Sequence, residues 1–175
     1  MHLSNAAALI VLALGSCSRP GVTSEAPVVT DADRAAILKT LGLYADQQGL
    51  VPNECGERSA PQYLVAEMGG AVGSAILFAM SGGPNTATCY GDGADLHLMM
   101  RDGASWHEIY SARGRMLIVL PTATAGVRDI GDGGPGFSFP VWIWNGTRYI
   151  PAGREISDAD LSKMKPTYLP SAVRR

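Results

Sequence analysis

The short turns between apolar segments are the feature that most constrains how this chain can fold. Strand-like segments occupy residues 63–68, 75–80, 95–101, 106–110, 116–120, 137–144 and 147–150, and short stretches containing glycine separate most of them. No helical pattern lies between consecutive segments, whereas parallel strands need a crossover of about a dozen residues or more. The pattern therefore predicts antiparallel strands.

Helical patterns are found only before and after these strands. Thr30 precedes an acidic first turn and can cap a helix, in which Ile37, Leu38 and Leu41 share one face. Ser157 can cap a short second helix near the C-terminus. The sequence therefore predicts an α+β fold, in which an N-terminal helix packs on an antiparallel β-meander of about six to eight strands.

The N-terminus has the pattern of an export signal. The apolar run from Ala6 to Leu14 is too short to span a bilayer and suits a signal peptide. Leu14-Gly15-Ser16-Cys17 resembles the lipobox of bacterial lipoproteins, in which the cysteine is lipidated after the signal is cleaved. The alternative is an ordinary secretory signal in which Cys17 falls by coincidence.

The resemblance to lipoproteins implies a division of the chain. We expect a signal peptide at 1–16, a lipidated N-terminus and flexible tether at 17–29, one globular domain at 30–170 and a tail at 171–175. It also implies that Cys17 anchors the protein in the periplasm. Ser18, which follows it, resembles the pattern for sorting to the inner leaflet of the outer membrane, but the sequence leaves the choice between inner and outer membrane open. No second long apolar segment is present, so we expect membrane contact through the lipid anchor only.

Charge and cysteine content limit the partners and cofactors. The formal net charge is −2 at pH 7 and no basic cluster is present, so a nucleic-acid partner is not expected. Cys55 and Cys89 form an even pair in an oxidising compartment, which predicts a disulfide closing a loop of about 34 residues. The competing two-cysteine metal site lacks nearby histidines, so neither a metal nor another cofactor is expected.

The run RDIGDGGPGF at 128–137 matches two catalytic motifs superficially. Its glycines fit a dinucleotide-binding fingerprint, but an extended segment follows where that motif requires a helix. It also resembles the nucleophile loop of chymotrypsin-like proteases, but Gly133 follows Asp132 directly and the serine is missing. The run therefore predicts a glycine-rich loop connecting two strands.

The two histidines do not predict a metal or acid/base site. If the turn between their strands has an even number of residues, His97 and His107 lie on opposite faces of the sheet. We then expect His97 on a solvated face with Glu108, Arg101 and Trp106. No catalytic residue is predicted.

An Asn145-Gly146 pair between two aromatic strands is a strong hairpin signal. A two-residue turn would place Trp142 opposite Tyr149, with Trp144 on the same face. That face is either core or an exposed patch that binds a partner, and the sequence leaves this open. The candidate partner-binding residues are Asp129, Asp132, Gly133, Gly134, Trp142, Trp144 and Tyr149.

Two C-terminal segments, TAGVRDIGDGGPG and FPVWIWNGTRYIP, resemble a signature of uncharacterised proteobacterial lipoproteins. That family brings no established activity. A small tethered β-rich domain with one disulfide is also similar in architecture to periplasmic lysozyme inhibitors and lipoprotein immunity proteins. The resemblance implies a non-enzymatic binding domain with a protein partner, such as a cell-wall hydrolase. The alternatives are a divergent envelope hydrolase that uses His97 or His107, and a structural envelope lipoprotein.

Overall fold

A computed structural model describes residues 28–81, 89–90, 93–133 and 138–169. Strands account for 58% of these residues and helices for 13%. Cys17, Gly134, the predicted signal at 1–16, most of the predicted tether at 17–29 and the tail at 171–175 lie outside them. Neither described helix is long and apolar enough to cross a membrane.

The described residues form two helices and eleven strands. In chain order they are α1 (Asp31–Thr40), β1 (Val51–Pro52), β2 (Arg58–Ser59), β3 (Gln62–Gly69), β4 (Gly73–Ser81), β5 (Ala94–Asp102), β6 (Ser105–Gly114), β7 (Met116–Thr124), β8 (Val127–Gly133), β9 (Ser138–Trp144), β10 (Tyr149–Ser157), α2 (Asp158–Met164) and β11 (Thr167–Leu169).

All pairings among these strands are antiparallel, as the short turns predict, and they build three sheets. β1 and β2 form a two-stranded ribbon. The four-stranded sheet is a simple meander in the order β3-β4-β5-β6. The five-stranded sheet has the order β10-β9-β8-β7-β11, so its last strand returns beyond α2 to the far side of β7.

The main core lies between the four-stranded and five-stranded sheets. Leu77, Leu96 and Leu98 on one sheet belong to the same buried cluster as Leu117 and Ile130 on the other. Alternation along each strand explains this arrangement, because every second side chain points to the same face. The two sheets therefore cover each other's inner faces, as in a β-sandwich.

The expected α+β fold, with an N-terminal helix packed on one meander of about six to eight strands, is wrong. Gly114 ends β6 and Met116 begins β7, and at this point the chain passes from one sheet to the other. The element that covers the inner face of the four-stranded sheet is therefore a second sheet, not a helix. Ile37 and Leu38 of the ten-residue α1 belong to a smaller cluster on the outer side.

Helix caps and the disulfide agree with the sequence. Thr30 Oγ1 accepts a hydrogen bond from the Asp33 main-chain N–H at 3.1 Å, and Asp33 Oδ2 accepts one from Thr30 N, which is a capping box. Ser157 caps α2 by accepting a hydrogen bond from Asp160 N. The predicted bond between Cys55 and Cys89 is confirmed, with the Cα atoms 5.8 Å apart.

Candidate functional site

A cleft of about 190 Å³ opens where the edge of β6 faces the β9–β10 hairpin. β6 supplies four consecutive residues to one wall, and the hairpin supplies the other wall. Two of the lining residues, Trp142 and Tyr149, are among the candidates predicted from sequence. The full lining is Glu108, Ile109, Tyr110, Ser111, Trp142, Arg148 and Tyr149.

The turn beside the cleft is longer than the sequence predicts. Trp144 pairs with Tyr149, and Pro151 pairs with Trp142, so the predicted pairing of Trp142 with Tyr149 is wrong. Asn145 explains the difference: its Oδ1 accepts hydrogen bonds from the main-chain N–H groups of Thr147 and Arg148, both at 2.9 Å. The side chain thereby satisfies two amides of a four-residue loop. This loop positions Arg148 at the cleft.

A cluster of aromatic rings forms the floor of the cleft. Tyr110 lies edge-on to Trp142 at a centroid distance of 5.2 Å, and Trp144 lies edge-on to Tyr149 at 5.6 Å. Trp144 and Tyr149 are only 4% and 2% exposed, so they belong to the core. Tyr149 Oη also donates a hydrogen bond to the main-chain oxygen of Arg128 at 2.7 Å. Trp142 is half-buried and lines the cleft.

Asp132 lies near the buried hydroxyl of Tyr110. Burial raises the pKa of Asp132, and the Tyr110 hydroxyl lowers it only in part. Burial likewise raises the pKa of Tyr110, with a further contribution from the charge of Asp132. Tyr110 Oη makes no well-aligned hydrogen bond to any described residue, and the same is true of Trp142 Nε1. Trp142 Nε1 therefore has no acceptor in the described part of the chain, whereas Tyr110 Oη has the Asp132 carboxylate nearby.

A network of polar side chains adjoins the cleft on the outer face of β5 and β6. His97 Nδ1 lies 2.5 Å from Glu108 Oε2, and His97 Nε2 lies 3.1 Å from Asp95 Oδ2. Ser111 Oγ donates to Glu108 Oε1 at 3.0 Å. The His97 ring also contacts Phe78, with 5.8 Å between the ring centroids. Glu108 and Ser111 thus belong to both the network and the cleft.

This geometry favours the charged form of His97. A neutral imidazole has one N–H, so it can donate to only one of the two carboxylates, whereas the imidazolium donates to both. Burial lowers the pKa of His97, but the hydrogen bonds and charges of Asp95 and Glu108 raise it more, and the net shift is upward. His97 therefore neutralises Glu108 rather than activating Ser111, which bonds to the carboxylate and not to the ring.

The other predicted acidic residue supports the fold. Asp129 is 3% exposed and accepts hydrogen bonds from the hydroxyls of Thr122 and Thr124 at 2.7 and 2.8 Å. Arg154 on β10 lies 3.5 Å from the same carboxylate. Asp129 therefore links β7, β8 and β10 at a position where β7 departs from regular pairing.

The glycine run is not a loop where the structure describes it. Gly131 and Gly133 belong to β8, which corrects the prediction that the whole run connects two strands. A Cβ at Gly133 would lie 2.5 Å from Met116 Cγ, and one at Gly131 would lie 3.4 Å from Ile118 Cβ. Side chains of β7 lie over Gly131 and Gly133, and they leave little room for a side chain at either position.

Other hollows and residue groups give less support for a site. An open groove of about 430 Å³ separates α1 from the β5–β6 turn, and a hollow of about 160 Å³ lies near Val29 and Trp106. His107 lies 3.9 Å from Asp102, away from the His97 network. Within the described ranges, no group of three His, Cys, Asp or Glu side chains is arranged to hold a metal ion.

The structure brings Trp142 and Tyr149 together in the cleft, with Trp144 behind them and Asp132 near Tyr110. It places Asp129 and Gly133 in sheet packing instead. Sequence reasoning missed the cleft-lining roles of Tyr110, Ser111 and Arg148. Comparison with family models, with curated proteins and with solved structures finds no match to this chain.

Proposed function

We propose that this chain is a lipid-anchored periplasmic binding domain whose cleft beside β6 recognises a protein partner, such as a cell-wall hydrolase. The observation that carries the proposal is the form of the cleft. It runs along a strand edge, and its volume of about 190 Å³ is below the roughly 300–1,000 Å³ of small-molecule sites. A hollow of this kind suits one or two residues of a protein surface better than an enclosed ligand.

The side chains around the cleft support recognition. Trp142 provides an amphipathic aromatic wall, and aromatic and arginine side chains such as Arg148 are enriched at protein interfaces. Strands of the two sheets form the walls of the cleft, so the cleft needs little ordering when a partner binds. Candidates for this surface are Trp142 from the predicted set, together with Glu108, Ser111 and Arg148.

The anchor belongs to the same proposal. We expect Cys17 to carry lipid and the segment up to Val29 to act as a tether that holds the domain near the membrane. Replacing Cys17 with Ala should move the protein from the membrane fraction to the soluble periplasmic fraction. Retention of Cys17→Ala in washed membranes would contradict the anchor but not the binding domain.

The experiment compares capture by matched surface variants. The full chain, oxidised and carrying a C-terminal tag, is used to capture proteins from a solubilised envelope extract, and retained proteins are identified by mass spectrometry. Ser111→Tyr fills the cleft, and Ser162→Tyr adds the same bulk on the exposed face of α2. We expect one stoichiometric partner with the wild type and Ser162→Tyr, and its loss with Ser111→Tyr. Equal capture by all three proteins would refute the cleft as the binding site.

A second candidate function, an envelope hydrolase, is favoured by one observation. His97 lies between two carboxylates beside a cleft, and such clusters of titratable groups occur at catalytic centres. His97→Gln separates the two functions. A hydrolase should lose its turnover of peptidoglycan or ester substrates, whereas a binding domain should retain its partner.

A further inference from the structure

β6 has an edge without a partner strand among the described residues. It is the last strand in the order β3-β4-β5-β6, and only β5 pairs with it in the described part of the chain. It extends over ten residues and contains neither proline nor lysine, which often protect such edges, and its one irregularity is a bulge at Ile109. The two edges of the five-stranded sheet differ, since β10 carries Pro151 and an irregularity before Glu155, and β11 has three residues.

The cleft follows this edge rather than a face of the sheet. Its lining includes the consecutive residues Glu108, Ile109, Tyr110 and Ser111. Glu108 and Ser111 belong to the network on the outer face. Ile109 and Tyr110 both belong to the core between the sheets, because a bulge interrupts the alternation here, so the feature common to all four residues is the main-chain edge. The hydrogen-bonding groups on that edge are therefore directed toward the space between β6 and the hairpin that bears Trp142.

Arg148 is the cleft residue whose charge is not balanced. Glu108 lies against His97, and Arg113 farther along β6 pairs with Glu54. Arg148 is exposed, and its guanidinium forms no ion pair with a described residue. Its backbone is held at the turn, because Arg148 N donates to Asn145 Oδ1 and Arg148 O accepts from Asn145 N. The guanidinium of Arg148 is therefore the cationic group at the cleft that has no acidic partner among the described residues.

We infer that β6 accepts an extended segment of the partner protein as an additional strand, and that a carboxylate of this segment binds Arg148. The added strand would make main-chain hydrogen bonds to the free edge of β6, which is the usual mode of strand addition. Arg148 offers a planar, bidentate donor pair to an Asp or Glu side chain and so selects acidic segments. This inference rests on the proposed function, since it specifies the partner's contact element.

The test measures amide hydrogen exchange in the full chain, free and bound to the partner captured by the wild type. In the complex, the amides of residues 108–112 that face the edge should exchange about tenfold or more slowly. Arg148→Glu should weaken binding at least about tenfold, and Arg148→Lys should weaken it less. Arg34→Glu, which makes the same change of charge on exposed α1, should leave the affinity unchanged.

The outcomes distinguish this inference from the function on which it rests. If a partner binds through the cleft but exchange at 108–112 is unchanged, strand addition is refuted and the binding domain stands. If Arg148→Glu binds as tightly as Arg34→Glu, the acidic contact is refuted. If no partner is captured by the folded wild-type protein, the proposed function fails and the inference fails with it.

Discussion

Removing the disulfide should lower the free energy of unfolding of this domain by an amount that can be calculated from the length of the loop it closes. Cys55 and Cys89 are 34 residues apart in sequence. The loop-entropy relation gives about 12.6 cal/mol/K for a loop of this length, or about 3.8 kcal/mol at 25 °C. That is a large share of the roughly 5–15 kcal/mol by which domains are stable. We therefore expect Cys55→Ser/Cys89→Ser to fold but with a much smaller margin.

Equilibrium urea unfolding, followed by tryptophan fluorescence, measures this loss. With a slope of about 2 kcal/mol/M, the midpoint of the double variant should fall by roughly 2 M. The reduced wild-type protein is the matched control and should unfold with the double variant, because it lacks the same cross-link. A loss below about 1 kcal/mol with an unchanged slope would refute the entropic reasoning. A changed slope would show instead that the variant unfolds from a different state.

The other predictions concern the core, a turn contact and a titrating side chain. Tyr149→Phe should lower the free energy of unfolding by about 1 kcal/mol, because the hydrogen bond to the main-chain oxygen of Arg128 is lost. Gly70→Ala should lower the free energy of unfolding by about 1–3 kcal/mol, since the new Cβ would lie 2.7 Å from Gly126. This loss comes in addition to the one caused by the positive φ at this position. His97, whose pKa is raised on folding, should stabilise the protein fully below about pH 6.5 and lose this contribution as pH rises through the folded-state pKa.

Urea unfolding of each variant checks all three expectations. Gly103→Ala is the control for Gly70→Ala, because Gly103 has a similar positive φ but a Cβ added there would meet nothing within 4 Å. If Gly70→Ala and Gly103→Ala lose the same free energy of unfolding, contact with Gly126 has no effect. His97→Gln should remove the part of the pH dependence that lies above about pH 6.5. An identical pH profile in wild type and His97→Gln would contradict the assignment, as would an unshifted His97 pKa by NMR.

Local features of this fold follow from local sequence, and the strand segments show why. Alternation and short turns place β3, β4, β5 and β6 within a few residues of their observed bounds. The Thr30 cap depends only on its neighbours and is also predicted correctly. The division into two sheets is different, because the link at Arg115 is as short as an ordinary turn. The local sequence does not show that β7 belongs to a different sheet from β6, because this depends on contacts between the two sheets.

The site was harder to predict because it depends on register. The two-residue turn after Asp102 would place Tyr110 opposite His97. A bulge at Leu98 and Met99 shifts the pairing by one residue, so that Ser111 lies opposite His97 and Tyr110 opposite Leu98. No residue in that stretch marks the bulge. The same holds for the loop at Asn145, where an Asn-Gly pair favours a two-residue turn but the side chain stabilises a longer one.

The return of β11 to β7 has a consequence for how the chain is made. Synthesis proceeds from the N-terminus, so β7 emerges before its neighbour at Thr167–Leu169. Until then Leu117, Ile118 and Val119 lie along an uncovered strand edge, which is the kind of surface that chaperones and proteases meet in unfinished chains. A product that stops before β11 keeps that edge exposed permanently. β11 thus decides whether this edge of the five-stranded sheet is covered.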